Sequence, residues 1–540
     1  MKTTDIYNSR RSPVLATGGM VASSQPPATM AGVEVLQAGG NAADAAVAVA
    51  AALNVTQPCS TGLGGDVFCL YYDAAERRVR ALNGSGRSAA ALTMDRVEAQ
   101  GLTGRLPDQH PHSVTVPGAA AAWEDVVAAL GRLPLADVLA PAIRLAERGF
   151  PVAPCAARWW QQGAEAQLRK HRCGGELMID GRGPRAGEVM RLPALARSMR
   201  VLAERGSRAF YQGEIAERIV AAVAEEGGAL TMDDLAAHRS EWVEPIGIDY
   251  RGVRVWQCPP NGQGLAALLA LGIARQFDVA SLPADGFRRY HVLIEAMRLA
   301  FADAAEVVAD PQHASAPIEH LLGDDYLAGR AKQIDLSRAN RTPQPGPAAA
   351  GTDTVYFCTA DGEGNACSFI NSNYMGFGTG IVPEGCGFSL QNRGCGFVLR
   401  RGHPNCLAPR KRPYHTIIPG MATAADGSLY AAFGVMGGMM QPQGHQQVVV
   451  AMVDDDLDPQ AALDRPRFQL RGGSPGGQVL LEEGLDASVI EQLNAAGHEV
   501  RVLSGPARAT FGLGQIIRRA AGVYWAGSDA RGDGMAVGLP

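Results

Sequence analysis

The sequence predicts a protein of the α+β class, with helices and strands combined in large layers. Three observations carry this. Hydrophobic residues make up 46% of the chain and charged residues 19%, which supplies a large core and excludes a disordered or fibrous chain. The N-terminal part alternates helical stretches with short strand-like runs. After residue 354 the chain turns strand-rich. Its 540 residues would divide into three or four domains of usual size, though layered units of helix and sheet run longer as one body.

The elements follow in order. Ala31–Ala38 (AGVEVLQA) reads as a helix ended by Gly39-Gly40. Asn41 is placed to cap the next helix, DAAVAVAAALNV. A Gly-rich loop enters a strand at Val67–Tyr72, and a second strand follows at Arg78–Leu82. Residues 119–149 form two helices, residues 196–238 are mostly helical, and WVEPIGIDYRGVRVWQCPP reads as strands. Helices return from Leu265 to Asp310. NRTPQPGPAAAG, at 340–351, is dense in Pro and Gly and reads as a surface segment or linker. TVYFCTA, a DGEGN turn and ACSFINSN then predict a β-hairpin, with further strands at SLYAAFGVMGG and QVLLEEG.

Charge and cysteine usage narrow the classes. A net charge of −5 and a pI of about 6.2 argue against a nucleic-acid binder. The longest apolar run, Ala45–Leu53, is too short to span a bilayer and is expected to be a buried helix. The N-terminus has no apolar core of a secretory signal, so a cytoplasmic protein is expected. None of the ten cysteines forms a CxxC pair, so neither a zinc site nor a redox motif is expected. Cys69, Cys358 and Cys367 read as small core hydrophobes.

The chemistry starts at Thr354, which opens the hairpin directly after the Pro/Gly segment. A Thr hydroxyl can attack the carbonyl of the residue before it, here Asp353, and convert the peptide to an ester that hydrolyses. Thr354 would then carry a free α-amine beside its own hydroxyl, a nucleophile and base in one residue. With a reference pKa near 8, that amine needs only a small shift to act as a base. Taken alone, a Thr at a strand start is an ordinary strand residue. The second feature is GVMGG at 434–438, after the apolar strand LYAAF. Adjacent glycines there form a plain turn, or else aim two backbone N–H groups at one point as an oxyanion hole.

Long stretches in order then resemble the γ-glutamyltransferases (glutathione hydrolases), of the N-terminal-nucleophile hydrolase class. They include MVASSQPPATMAGVEVLQAGGNAADAAVAVAAALNVTQP, TGLGGDVF, VPGAAAAWE, CPPNGQG, DTVYFCTADGEGNA, GFGTGIV, RPYHTIIPGM, GVMGG, DPQAALDRPRF and GSDARGDGMAVG. The resemblance implies an αββα sandwich, made as a proenzyme cut between Asp353 and Thr354. A large subunit, 1–353, and a small catalytic subunit, 354–540, would share one interwoven core. By the family pattern Thr354 is the nucleophile and Gly437 and Gly438 form the oxyanion hole. Ser372 lies beside the nucleophile, Asn373 is next to it, and His415 and Thr416 fall where the substrate's α-carboxylate is held. A small-molecule amide, water or an amine acceptor, and no organic cofactor or metal are implied.

The chain departs from the family at the acyl pocket. Ser85 stands where an Arg for the α-carboxylate is expected, and Arg87, two residues on, is the candidate substitute. Arg393 and Gly396 stand where an amide and an Asp for the α-amine are expected. An Arg repels an ammonium. A pocket with Arg393, Arg87 and His415 therefore suits an acyl group ending in a carboxylate without an amine, the glutaryl type. Three readings result: a γ-glutamyl amidohydrolase or acyltransferase, a glutaryl-type acylase, and an unprocessed binding protein.

Overall fold

The computed structural model describes residues 11–342 and 354–540. Asp353, and the expected linker beyond residue 342, lie outside the described residues. Two seven-stranded antiparallel sheets form the centre. The first has the order Met535–Leu539, Gly19–Ser23, Val355–Asp361, Ala366–Ser372, Asp66–Asp73, Arg78–Gly84, Glu241–Val243. The second runs Val14–Ala16, Val523–Ser528, Leu513–Ala520, Leu429–Met436, Gly420–Ala424, Val253–Gln257, Ile246–Tyr250.

The two sheets pack face to face, with helices on both outer faces, an αββα sandwich. Three apolar clusters fill the layers. One lies under the helices Pro26–Gln37 and Ala42–Thr56, one under Gly264–Ala274, Phe287–Val307 and Met440–Val453, and one between the sheets. The strand Val355–Asp361 shows why its sequence reads as an unbroken apolar run. Val355 and Phe357 face the first helical layer, whereas Tyr356, Cys358 and Ala360 face the opposite sheet. A strand covered on both faces shows no polar alternation.

Local chemistry explains the helices. Asn41 caps Ala42–Thr56 as expected: its side chain accepts from Ala43 N (2.9 Å) and Asp44 N (3.2 Å), and Asp44 accepts from Asn41 N. All fifteen residues of that helix are buried, so the long apolar run is a core helix. Its small side chains let the neighbouring helix close in: a Cβ on Gly32 would sit 2.7 Å from Val49 Cγ2. The first helix begins at Pro26, earlier than the expected Ala31, because Pro suits the first helical turn. The hairpin strands fall at Val355–Asp361 and Ala366–Ser372, and QVLLEEG contributes Val479–Glu482 to a separate three-stranded sheet. Among the described residues no helix is long and apolar enough to cross a membrane.

Segments from both sides of residue 353 build both sheets. Gly19–Ser23 and Asp66–Asp73 flank the hairpin in the first sheet, and Val253–Gln257 pairs with Gly420–Ala424 in the second. The sheets approach closely at Gly434, where a Cβ would stand 2.5 Å from the Tyr356 ring. Gly434→Val should therefore lower stability by about 1–3 kcal/mol, the usual cost of overpacking. Urea unfolding measures this, and a variant as stable as the parent would contradict the tight sheet-to-sheet contact.

Candidate active site

The register of the first sheet places the nucleophile candidate. Val355 pairs with Asn371, which sets Thr354 opposite Ser372 at the end of the neighbouring strand. Both are fully buried, and their hydroxyl oxygens lie 3.0 Å apart. Ser372 Oγ also accepts from Tyr374 N (2.8 Å) and Arg393 Nη2 (3.3 Å). Tyr374 holds this turn at φ 79°, a left-handed conformation that a bulky residue adopts only under strain.

Arg393 lies fully buried behind the pair. Its guanidinium donates to Thr416 Oγ1 (2.7 Å) and stacks on the Tyr374 ring, 3.9 Å from the centroid. Its Nε is buried and has no hydrogen-bond partner among the described residues. Burial pulls its pKa down to about 10, against the opposing influence of Tyr374 and Asp66. The group therefore keeps its charge at neutral pH.

Gly437 and Gly438 join the strand Leu429–Met436 to the helix Met440–Val453. Their φ values, 136° and 58°, lie where glycine is needed. Neither N–H donates to an acceptor among the described residues, and both sit at the positive end of the helix. Gln263 ties this turn to the rest: its amide donates to Thr416 O (2.6 Å) and Gly438 O (2.9 Å). A run of hydrogen bonds thus leads from Thr354 through Ser372, Arg393, Thr416 and Gln263 to the glycine turn.

His415 does not face this cluster as a free ligand, contrary to the sequence expectation of a substrate contact. Its Nδ1 accepts from Ile417 N (3.3 Å), so Nε2 carries the proton and donates to Asp66 Oδ2 (3.0 Å). Burial, with Arg393 and Arg412 nearby, pushes its pKa well below the usual range. The contact is therefore a neutral imidazole on a carboxyl group and not an ion pair. Asp66 is fully buried, and its Oδ1 accepts from Gly86 N, Gly118 N and Gln391 Nε2. Burial raises its pKa to about 7, against Arg393 and these donors.

Arg87 is likewise not brought to the cluster. Its guanidinium donates to Glu241 (2.9 Å), which the buried Arg412 also holds (2.7 Å). Ser85 is buried and bonded to Asn83. Asn373 donates its amide to Pro58 O and Ser389 Oγ. Asp66, Tyr374 and Gln263 are members that the sequence reading did not single out. Asp66 alone left a signal, as the one acid in the Gly-rich TGLGGDVF.

Comparison with known proteins sets this geometry in a family. The family model described as Gamma-glutamyltranspeptidase matches residues 28–539. The chain belongs to the gamma-glutamyltranspeptidase family. A glutathione hydrolase-like YwrD proenzyme of Bacillus subtilis is 38% identical, covering 97% of this chain and 99% of its own. An oxamate amidohydrolase proenzyme of Klebsiella pneumoniae is 33% identical, with the same coverage. The crystal structure of a cephalosporin acylase from Bacillus halodurans superposes with a TM-score of 0.91 at 45% identity, covering 98% of both chains. The αββα sandwich is thus that of the N-terminal-nucleophile hydrolases of this family, and the chain is an enzyme of that family.

Asp66→Asn tests the buried support. The amide oxygen can keep the donors on one side, but its NH2 then faces the His415 N–H. Leaving these groups unsatisfied should cost about 1–3 kcal/mol in urea unfolding. It should also lower activity, because His415 immediately precedes Thr416.

Proposed function

We propose that this chain is a self-processing threonine amidohydrolase and acyltransferase acting on amides whose acyl group ends in a carboxylate, γ-glutamyl amides such as glutathione among them. The observation that carries the reading is Thr354 at a strand start, hydrogen-bonded to Ser372 and linked to the Gly437-Gly438 turn. In the maturation step, Thr354 Oγ1 attacks the carbonyl carbon of Asp353. The peptide C–N bond breaks, the nitrogen becomes the amine of Thr354, and water hydrolyses the ester to free the Asp353 carboxylate. The two parts, 1–353 and 354–540, stay together because both contribute hydrogen-bonded strands to each sheet.

In turnover the Thr354 amine takes the hydroxyl proton as Oγ1 attacks the amide carbonyl of a small-molecule substrate. The N–H groups of Gly437 and Gly438 receive the developing oxyanion, each such donor typically contributing about 2.7–4 kcal/mol. The proton passes to the leaving amine, the C–N bond breaks, and the acyl group remains on Thr354. Water or an amine acceptor then takes the acyl group and restores the hydroxyl.

Two observations favour the amine-free acyl group as a second reading. Arg393 holds a buried Nε–H that has no hydrogen-bond partner among the described residues, on the guanidinium whose Nη2 donates to Ser372; such a cation suits a carboxylate and repels an ammonium. At Gly396, a Cβ would stand 2.5 Å from Tyr414 O, so this backbone has no room for the acidic side chain that would hold an amine. Relatives named for oxamate and cephalosporin substrates fit that reading.

The mature protein should run as two bands on a denaturing gel, about 37 and about 20 kDa by proportional division of 56.7 kDa. The smaller should begin Thr-Val-Tyr-Phe on Edman sequencing, and Thr354→Ala should stay as one inactive chain. Cleavage of Thr354→Ala at the same place would remove the nucleophile from the scheme. Release from glutaryl-p-nitroanilide should exceed release from γ-glutamyl-p-nitroanilide; the reverse order would leave the γ-glutamyl substrate as the sole reading.

A further inference from the structure

The steps above give Gln263 no task, yet its contacts lie at the centre of the site. It stands immediately before the helix Gly264–Ala274 and is fully buried. Four hydrogen bonds fix it. Its backbone N–H donates to His415 O (2.9 Å), its Nε2 donates to Thr416 O (2.6 Å) and Gly438 O (2.9 Å), and its Oε1 accepts from the Tyr414 hydroxyl (3.1 Å). Both amide protons and the amide oxygen are engaged, so this planar group has one orientation.

Its bond to Gly438 acts on the glycine turn. Gly438 has φ 58° and no Cβ, so sterics do little to fix the peptides on either side of it. On one side, the Gly437 carbonyl accepts from Met440 N (2.9 Å). A trans peptide points its N–H opposite to that carbonyl, so this bond also aims the Gly438 N–H. On the other side, the Gly438 carbonyl accepts from Gln441 N (3.2 Å) and from Gln263. With its second proton Gln263 holds the carbonyl of Thr416, whose hydroxyl accepts from Arg393. One amide therefore ties the rotation of the glycine turn to the segment that holds the cation.

We infer that Gln263 is a positioning residue for the oxyanion turn: it fixes the peptide after Gly438, and with it the direction of the N–H groups that receive the negative oxygen. The inference rests on the proposed reading of Thr354 and of the Gly437-Gly438 turn. Gln263 itself touches no reacting atom. Its removal leaves Thr354, Ser372 and Arg393 in place and loosens the donors that only the tetrahedral state uses. The loss therefore falls on that state and not on a planar acyl ligand.

Isothermal titration of the mature enzyme with two ligands separates these states. Glutarate is a planar diacid and reads the carboxylate side. In 4-boronobutanoate, its boron counterpart, Thr354 Oγ1 bonds to boron, the hydroxyl proton passes to the Thr354 amine, and boron becomes a tetrahedral anion with an oxygen at the glycine turn. Gln263→Met keeps the side-chain length and removes the amide. It should bind the boronate at least about tenfold more weakly, the scale on which displaced groups act, with glutarate affinity changed less than about threefold. Its kcat on glutaryl-p-nitroanilide should fall by the same factor as the boronate affinity. Tyr414→Phe removes only the bond to Oε1 and should weaken the boronate about two- to threefold. Urea unfolding shows whether Gln263→Met is folded; where it is not, Tyr414→Phe decides. An unchanged boronate affinity, or an equal loss for both ligands, would overturn the positioning role while the parent enzyme still binds the boronate. A parent that stays uncut or does not bind the boronate would instead overturn the reading of Thr354, and this inference with it.

Discussion

A fully buried guanidinium organises this site. Taking a charge out of water is costly unless hydrogen bonds and opposite charge compensate it. Arg393 has that compensation from several directions: the Thr416 hydroxyl, the Ser372 hydroxyl, the face of Tyr374 and the field of Asp66. Each partner is positioned by a different part of the chain. Ser372 ends a strand, Tyr374 sits in a strained turn, Asp66 opens another strand, and Thr416 follows an extended segment. The charge can exist only where these parts meet, so its burial and the assembly of the site are one event. Among the described residues Nε has no partner. A buried donor without an acceptor costs free energy in the empty site and returns it when an anionic ligand arrives.

Thr354 and the Gly437-Gly438 turn, the proposed nucleophile and oxyanion donors, belong to different sheets, which raises the question of how their spacing is held. Two devices act together. Tyr356, two residues after Thr354, packs against Gly434, three residues before Gly437, with no room for a side chain between the strands. Gln263 then bridges Thr416 and Gly438 through one rigid amide. The first fixes the distance between layers, and the second fixes how the turn is rotated. A packed core transmits such constraints because it has few voids into which strain can relax.

Much of this was legible in the sequence where the cause was local. The hydroxyl at the head of the hairpin, the paired glycines, the Asn41 cap and the buried Ala-rich helix each follow from a few neighbouring residues. The rest depends on tertiary partners. Arg87 and Arg393 are equally cationic on the page, yet Glu241 and Arg412 draw the first away while Thr416 and Ser372 hold the second. His415 looks like a substrate contact until Asp66, far away in sequence, takes its Nε2 proton and the backbone of Ile417 takes its other nitrogen. Gln263 carries no signal at all, because an amide gains meaning only from the two carbonyls it finds.

The division between chemistry and recognition follows from the same layout. Thr354 and the Gly437-Gly438 turn sit at strand ends, locked by two sheets. Between Ser372 and Gly420 the chain forms no named strand, only the 3₁₀ turn Arg393–Gly396 and isolated bridges. Irregular segments on a rigid frame tolerate substitution, so recognition can change there while the frame persists. Arg393 limits that freedom. Its Nη2 touches the hydroxyl that is bonded to Thr354, so any residue replacing it also alters the field at Thr354. Substitutions in the irregular chain that follows the turn, at Val398 for instance, would leave the cation and its partners in place.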